Sequence, residues 1–279
     1  MALDSWKAAL IQTTTGLDAE ESARHLCDAA AEAASNGAQL ISTPEMSNFL
    51  AARRKEAMER AKTEADDPVL KSLAAAAKAH SCWVHIGSLC LRGPGDMLVN
   101  RGFLIDPSGG IVVRYDKIHM FDVDLGKGET YQESALYQPG REAVLAKTPF
   151  GGIGLSICYD IRFPALYRNL AEAGADILLV PAAFTQPTGE AHWETLLKAR
   201  AIETGAYVLA AGQCGAHESG RKTHGHSMVI DPWGKPLATL DRTPGLLYCD
   251  IDMTKVDKAR GRIPALKHSR AFTVSRVAQ

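Results

Sequence analysis

Glu45, Lys117 and Cys158 are three residues of this sequence whose side chains together are chemically sufficient for acyl transfer. A cysteine thiolate is a strong nucleophile, and a neighbouring carboxylate can accept the proton of its thiol. A fixed ammonium group can stabilise the oxyanion that forms when the nucleophile adds to a carbonyl. Brought into one pocket, the three side chains could hydrolyse an acyl derivative.

Each of these residues follows an apolar run that predicts a buried strand, at residues 40–43, 111–115 and 153–157 respectively. Further strands are predicted at 8–12, 83–89, 99–106, 143–147, 176–180, 206–211, 226–230 and 246–251. Helices are predicted at 18–37, 50–64, 67–79, 165–173 and 190–204. This alternation favours a mixed α/β layered domain without an internal linker. Open α/β sheets carry their chemistry at the carboxyl ends of strands, which is where all three residues lie.

Two segments between these elements are expected to serve the site. Residues 116–141 show no clean period, and structureless segments of that length inside a compact domain usually have a function. Residues 50–64 combine a helical pattern with a polar composition, which predicts an exposed flap or lid.

The composition excludes several classes of protein. Lys and Arg number 31 and Asp and Glu 32, so the chain lacks the basic excess that binding to nucleic acid demands. Hydrophobic residues make up 46% of the 279, as in globular domains. No apolar run approaches the roughly 20 residues of a membrane span, no signal sequence precedes the first predicted strand, and the six cysteines are scattered. We therefore expect a cytoplasmic protein with reduced thiols and no nucleic-acid or membrane partner.

The residues around the three side chains carry a family resemblance. Thr43-Pro44-Glu45-Met46-Ser47, the run 114–119 (Arg-Tyr-Asp-Lys-Ile-His) and the run 156–164 (Ser-Ile-Cys-Tyr-Asp-Ile-Arg-Phe-Pro) together resemble the nitrilase, or carbon–nitrogen hydrolase, superfamily. The resemblance covers almost the whole chain. It implies a four-layer α-β-β-α sandwich built from two similar halves in a single domain, residues 1–279, and usually a homodimer. The tail from about 262 to 279 is expected to contact a partner subunit.

The resemblance also assigns roles to the residues. It implies that Glu45 is the general base, Lys117 the oxyanion stabiliser and Cys158 the nucleophile, with no cofactor and no metal. A second glutamate belongs in the loop after the lysine. Glu133 fits that place, but Glu129 lies close by, and the loop has no period that would decide between them.

Several candidates concern the oxyanion and the substrate. The backbone N–H of Tyr159, next to the nucleophile, would be a second oxyanion donor. Arg162 is a candidate for binding a substrate carboxylate, and the alternative is a structural ion pair with Asp160. Wall residues of the pocket are expected among four side chains that could equally be ordinary loop packing, namely Phe49, Phe184, Thr185 and Thr188.

The runs 191–204, 211–215 and 225–234 resemble the deaminated glutathione amidase branch of the superfamily. The resemblance implies hydrolysis of an amide of a small 2-oxo acid through a cysteine thioester. The related ω-amidases, which act on α-ketoglutaramate, share the His-Trp and Pro-Trp-Gly elements and remain an alternative. Another amidase, carbamoylase or nitrilase of the superfamily also remains open, because the same three side chains would serve each of them.

Three other hypotheses are compatible with parts of the sequence. Zinc could be bound by the cluster of Cys214, His217, His224 and His226, although its spacing matches no standard finger. A scaffold protein could keep the fold without activity, although no expected catalytic residue is missing. A Cys–His dyad could replace the glutamate as base, with His119, His192 or His226 as its histidine.

Overall fold

The computed structural model describes residues 3–126 and 129–277. The first eight strands are β1 (Ser5–Gln12), β2 (Leu40–Ser42), β3 (Trp83–Arg92), β4 (Leu98–Ile105), β5 (Ile111–Asp116), β6 (Asp122–Asp124), β7 (Thr130–Gln132) and β8 (Leu145–Thr148). The other eight are β9 (Gly151–Leu155), β10 (Ile177–Leu179), β11 (Tyr207–Ala210), β12 (Cys214–Ala216), β13 (Lys222–His224), β14 (Met228–Ile230), β15 (Pro236–Thr239) and β16 (Gly245–Asp252). The helices are α1 (Ala19–Ser35), α2 (Arg54–Arg60), α3 (Pro68–His80), α4 (Pro164–Glu172), α5 (Gln186–Thr204) and α6 (Thr254–Arg262).

The strands form two six-stranded sheets of similar design. The first has the order β16-β1-β2-β3-β4-β5 and the second the order β15-β14-β11-β10-β9-β8. Each has a parallel centre, β1-β2-β3 in one and β9-β10-β11 in the other, with antiparallel strands on both sides. Strand β16 returns to β1, so that Ser5 lies opposite Asp252 and Gln12 opposite Gly245.

The sheets face each other, and helices cover their outer faces. Side chains of β1 alternate between two cores, because successive residues of a strand point to opposite faces. Ala8 and Leu10 pack with the second sheet, whereas Ala9 and Ile11 pack with α1 and α3. Helices α4 and α5 pack on the second sheet through apolar side chains such as Tyr167. The expected four-layer α-β-β-α sandwich in one domain is confirmed.

Local signals place several elements correctly. The Asp18 carboxylate accepts hydrogen bonds from the N–H groups of Glu20 and Glu21 at 2.8 and 3.2 Å, and so caps α1. Pro68 opens α3, where its fixed φ and missing N–H are tolerated. None of the helices in residues 3–126 and 129–277 combines the length and apolarity of a membrane span.

Other expectations differ from the structure. The segment 116–141 contains the β6–β7 hairpin and a 3-10 turn at Glu133–Ala135, and only part of it is loop. The helix predicted at 50–64 is limited to α2, and α5 begins four residues before the predicted position 190. Strands β12, β13 and β15 had no prediction. These three are only three or four residues long, too short to show a period.

Candidate active site

Cys158 lies three residues beyond β9 and begins a 3-10 turn that ends at Arg162. Its φ of 49° lies in the left-handed region, which is costly for a residue with a Cβ. The Cys158 N–H donates to the Pro181 carbonyl at 2.8 Å and holds the turn in place. A non-glycine residue kept in this conformation marks a position where the fold determines the direction of the side chain. Here the side chain lines a cavity.

Glu45, Lys117 and Glu133 form a buried ionic cluster beside the cysteine. Lys117 Nζ donates to Glu45 Oε1 at 2.9 Å and to Glu133 Oε1 and Oε2 at 3.0 and 2.9 Å. The side-chain amide of Asn100 lies between the carboxylates and donates to Glu45 Oε1 at 2.9 Å and to Glu133 Oε1 at 3.2 Å. The other Glu45 oxygen accepts from the N–H of Ala183 at 2.8 Å. Both oxygens of the Glu45 carboxylate, which would act as the base, are therefore fixed by hydrogen bonds.

Both sheets contribute to this cluster. Glu45 and Lys117 follow β2 and β5 of the first sheet, and Cys158 follows β9 of the second. The site therefore lies where the carboxyl ends of strands from the two sheets meet, as the sequence predicts. The β6–β7 hairpin brings in Glu133, whose Oε2 also accepts from the N–H of Phe121 at 2.7 Å. Glu129 instead accepts from the Tyr131 hydroxyl at 2.9 Å, so Glu133 is the glutamate that contacts the lysine.

Burial and charge set the protonation of the cluster. Burial alone would lower the pKa of Lys117, but the carboxylates of Glu133 and Glu45 outweigh it and raise that pKa well above its ordinary value. Burial opposes ionisation of Glu45 too, yet the lysine keeps the pKa of Glu45 below its ordinary value. Burial and the charge of Glu45 raise the pKa of the Cys158 thiol well above its ordinary value, against the opposing effect of Lys117. The resting site thus pairs a neutral thiol with an ionised carboxylate, the arrangement that general-base activation requires.

A cavity of about 310 Å³ opens beside Cys158. Phe184, Thr185 and Thr188 line it, as does Tyr159, the residue next to the nucleophile. The hydroxyl groups of Thr185 and Thr188 lie 2.7 Å apart and form a hydrogen bond at the wall. Three of the four predicted wall residues therefore do lie at the cavity.

Arg162 and Phe49 lie outside the lining of this cavity. The Arg162 guanidinium is 5.9 Å from the ring centre of Tyr159 and 5.4 Å from that of Phe184, and it lies 3.3 Å from His192 Nδ1. Arg162 therefore packs against two residues of the cavity wall without lining the cavity itself. Within the described residues it forms no ion pair with Asp160. Phe49 is 2% exposed and packs in a small core with Met46 and Leu50.

Several residues that line the cavity were not predicted to belong to the site. Arg53 and Arg54 precede and begin α2, so the predicted flap does contribute to the cavity wall. Arg54 donates to the Ala135 carbonyl, which ties this wall to the 3-10 turn. Arg221 comes from the β12–β13 hairpin and lies 5.5 Å from the ring centre of Tyr131. Its sequence neighbours Gly220 and Lys222 resemble any surface turn, so no sequence signal singles it out.

The residues of the competing hypotheses are engaged elsewhere. No three His, Cys, Asp or Glu side chains in the described part of the chain form a group that could hold a metal ion. Cys214 lies 3.5 Å from the Thr14 hydroxyl, and His217 bonds to the Thr15 carbonyl and the Thr223 hydroxyl. Within the described residues the cavity lining includes no histidine. The histidines of the possible dyads contact other groups: His119 contacts Asp160, His192 contacts Arg162, and His226 contacts the His224 carbonyl.

Comparison with known proteins identifies the family. The family model of the carbon-nitrogen hydrolases matches residues 7–261. The deaminated glutathione amidase of Yersinia enterocolitica is 41% identical over 238 residues, which are 84% of this chain and 83% of that protein. The deaminated glutathione amidase of Dictyostelium discoideum is 39% identical over 267 residues, 93% of this chain and 92% of its own.

Solved structures agree. The C. elegans NitFhit protein superposes with a TM-score of 0.91 at 35% identity, over 97% of this chain and 66% of the NitFhit chain. A mutant amidase from Nesterenkonia sp. AN1, with the acetamide moiety of fluoroacetamide added covalently at its active-site cysteine, superposes with a TM-score of 0.80 at 28% identity, over 95% and 94% of the two chains. The resemblance carried by the strings around Glu45, Lys117 and Cys158 is therefore confirmed: the chain belongs to the carbon-nitrogen hydrolase family and is a hydrolase that acts on amides.

Proposed function

We propose that this protein hydrolyses the amide bond of deaminated glutathione through a thioester on Cys158. The observation that carries the chemistry is that Lys117 lies between the carboxylates of Glu45 and Glu133, and that these three side chains line the same cavity as Cys158. Support for the substrate comes from the two relatives of that name, which match 84% and 93% of this chain.

In the first half of the proposed reaction the acyl group moves to the enzyme. Glu45 accepts the proton of the Cys158 thiol while Sγ adds to the amide carbonyl carbon. Lys117 Nζ and the N–H of Tyr159 stabilise the resulting oxyanion, and Glu133 holds the lysine in place. Glu45 then gives the proton to the amide nitrogen, the C–N bond breaks, and the amine leaves with a thioester on Cys158.

In the second half water releases the acid. Glu45 takes a proton from the water as its oxygen adds to the thioester carbonyl. The same two donors stabilise the second oxyanion. Collapse of this intermediate breaks the C–S bond, and Glu45 returns the proton to the sulfur of Cys158. The sum of both halves is one amide and one water converted to one carboxylic acid and one amine.

The cavity suits an anionic 2-oxo acid amide. Deaminated glutathione is the 2-oxo acid analogue of glutathione, and its hydrolysis gives 2-oxoglutarate and cysteinylglycine. The substrate carries a carboxylate at each end, and Arg53, Arg54 and Arg221 line the cavity. Guanidinium groups bind carboxylates in bidentate geometry, so these residues are matched to the charge of the substrate.

The test compares kcat/KM for deaminated glutathione and α-ketoglutaramate by measuring 2-oxoglutarate, which both release, with Cys158→Ala as the blank. We expect deaminated glutathione to be preferred by tenfold or more, about 1.4 kcal/mol of transition-state stabilisation. Preference for α-ketoglutaramate would make the protein an ω-amidase. Release equal to the blank from both would refute the substrate, and activity of Cys158→Ala would refute the mechanism.

We also propose that the tail contacts a second subunit of a homodimer. Ile263, Phe272, Val274 and Val277 are 58%, 86%, 82% and 89% exposed, and such apolar side chains are typical of interfaces. Ala278 and Gln279, which end the predicted tail, lie outside the described residues. Light scattering of Phe272→Asp and Val274→Asp should show monomers where the unchanged protein forms dimers.

A cytoplasmic location is proposed as well. The six cysteines are unpaired in the structure, and the nucleophile is one of them. A reducing compartment keeps them in that state. Fractionation of cells with an antibody against the protein tests this proposal.

A further inference from the structure

A groove of about 660 Å³ adjoins the active-site cavity on its outer side. We propose that this outer groove binds the amine portion of a substituted amide, and that Arg221 binds a terminal carboxylate on that portion. The inference rests on the proposed function and deepens it. It assigns a groove and a binding residue to the cysteinylglycine portion of the proposed substrate.

The two spaces adjoin at one wall. The cavity and the outer groove share Ala51, Ala52, Thr130, Tyr131 and Arg221. The acyl portion stays bonded to the nucleophile while the amine leaves and water enters. The amine must therefore lie on the side of the cavity that opens outward. The outer groove lies next to the shared wall, so we place an amine larger than ammonia past Tyr131 and Arg221 in the outer groove.

The charges of this wall favour an anion. Arg221 and Lys222 line the outer groove, and no carboxylate of the described residues lies within 4.0 Å of either side chain. The two carboxylates that line the groove are engaged elsewhere. Glu129 accepts from the Tyr131 hydroxyl at 2.9 Å, and Glu190 pairs with Arg242 at 2.8 Å. The groove thus offers two cationic side chains that no carboxylate of the described residues pairs with.

Arg221 is the better positioned of the two cations. It lines both spaces, whereas Lys222 lines only the outer groove. Its guanidinium rests 5.5 Å from the ring centre of Tyr131, which holds the planar group at the opening while leaving its N–H edge available to a ligand. A carboxylate near this edge would receive two parallel hydrogen bonds. A primary amide, which releases ammonia, would leave this contact unused.

The experiment uses three substrates that all release 2-oxoglutarate. They are deaminated glutathione, its analogue with the terminal carboxylate replaced by a carboxamide, and α-ketoglutaramate. For Arg221→Gln we expect kcat/KM for deaminated glutathione to fall at least tenfold more than for the other two, chiefly through KM. Arg221→Lys should recover part of the loss. Arg24→Gln, at an exposed arginine of α1 that lines neither the cavity nor the outer groove, is the matched control and should change none of the three values.

The outcomes separate the two proposals. If Arg221→Gln lowers kcat/KM equally for all three substrates, Arg221 serves the acyl portion or the fold, and the inference is wrong. If it lowers none of them, the groove does not bind the carboxylate, and the inference is again wrong. If the unchanged protein releases 2-oxoglutarate from none of the three, the proposed function fails first and the inference fails with it.

Discussion

Replacing Lys117 by methionine would remove the cation that two buried carboxylates share. Lys117 is 2% exposed, and its Nζ lies within 3.0 Å of oxygens of both Glu45 and Glu133. Methionine has a similar length and fills the space, so the loss is mainly electrostatic. Breaking a buried ion pair by removing one partner costs about 3–5 kcal/mol. We expect the variant to lose that much stability near neutral pH, together with its activity.

The dependence on pH distinguishes this cause from a packing defect. In the unchanged protein the pKa of Lys117 is raised and that of Glu45 is lowered, so neither group titrates between about pH 5.5 and pH 8 and their contribution stays constant. In the variant only hydrogen bonds such as those from Asn100 and Ala183 still oppose the effect of burial, and we expect the pKa of Glu45 to rise above its value in the unfolded chain. The destabilisation is then greatest at high pH and shrinks as the pH falls and the carboxyl becomes protonated.

Thermal unfolding followed by circular dichroism at about pH 8 and pH 5.5 provides the assay. At roughly 2–4 °C per kcal/mol, Tm should fall by about 10 °C at the higher pH and by clearly less at the lower one. The double variant Lys117→Met/Glu133→Gln should regain part of the loss, because one uncompensated charge is gone. Lys55→Met, at a side chain 88% exposed, is the control and should stay within about 0.5 kcal/mol. An equal loss at both pH values, with no recovery in the double variant, would refute the reasoning.

Three further predictions concern other parts of the molecule. Asn100→Leu removes a hydrogen-bond donor to the Glu45 carboxylate, and a hydrogen bond to a charged group contributes about 1.5–3 kcal/mol. The pKa that limits kcat/KM on the acid side of its pH profile should therefore rise by about 1–2 units. An unchanged acid side of the profile would contradict this role of Asn100. Gly189→Ala should cost about 1–3 kcal/mol by chemical denaturation, because an added Cβ would lie 2.3 Å from Cγ of the buried His224. His192→Gln should keep kcat within about twofold, whereas a tenfold loss would revive the Cys–His dyad.

The positions of Glu45, Lys117 and Cys158 could be predicted because each follows a strand whose apolar run is visible in the sequence. Glu45 and Lys117 follow strands of the first sheet and Cys158 follows a strand of the second, so the three meet only because the two sheets pack face to face. The family resemblance of the three strings, rather than the order of the strands, indicated that they share one site. The two hairpins that complete the cavity could not be predicted. Strands β6, β7, β12 and β13 have three residues each and lie outside both large sheets, so neither length nor period indicates them.

Arg162 shows why proximity in sequence is a weak guide to the cavity. It lies four residues after Cys158, which suggests that it points the same way. The segment is a 3-10 turn, however, with three residues per turn, so that side chains three apart lie above one another. Arg162 therefore stacks over Tyr159 rather than over the nucleophile. Only the helix type, which the sequence does not reveal, decides the direction.

The pairing of β16 with β1 has a consequence for how the protein is made. Residues 5–12 leave the ribosome long before residues 245–252, which form one of their two neighbouring strands. Until then one edge of β1 exposes unpaired backbone groups to other chains. Contacts between such distant segments also slow folding, which prolongs the exposure. We expect newly synthesised chains to depend on molecular chaperones, and amidase activity to appear only after translation has passed residue 252.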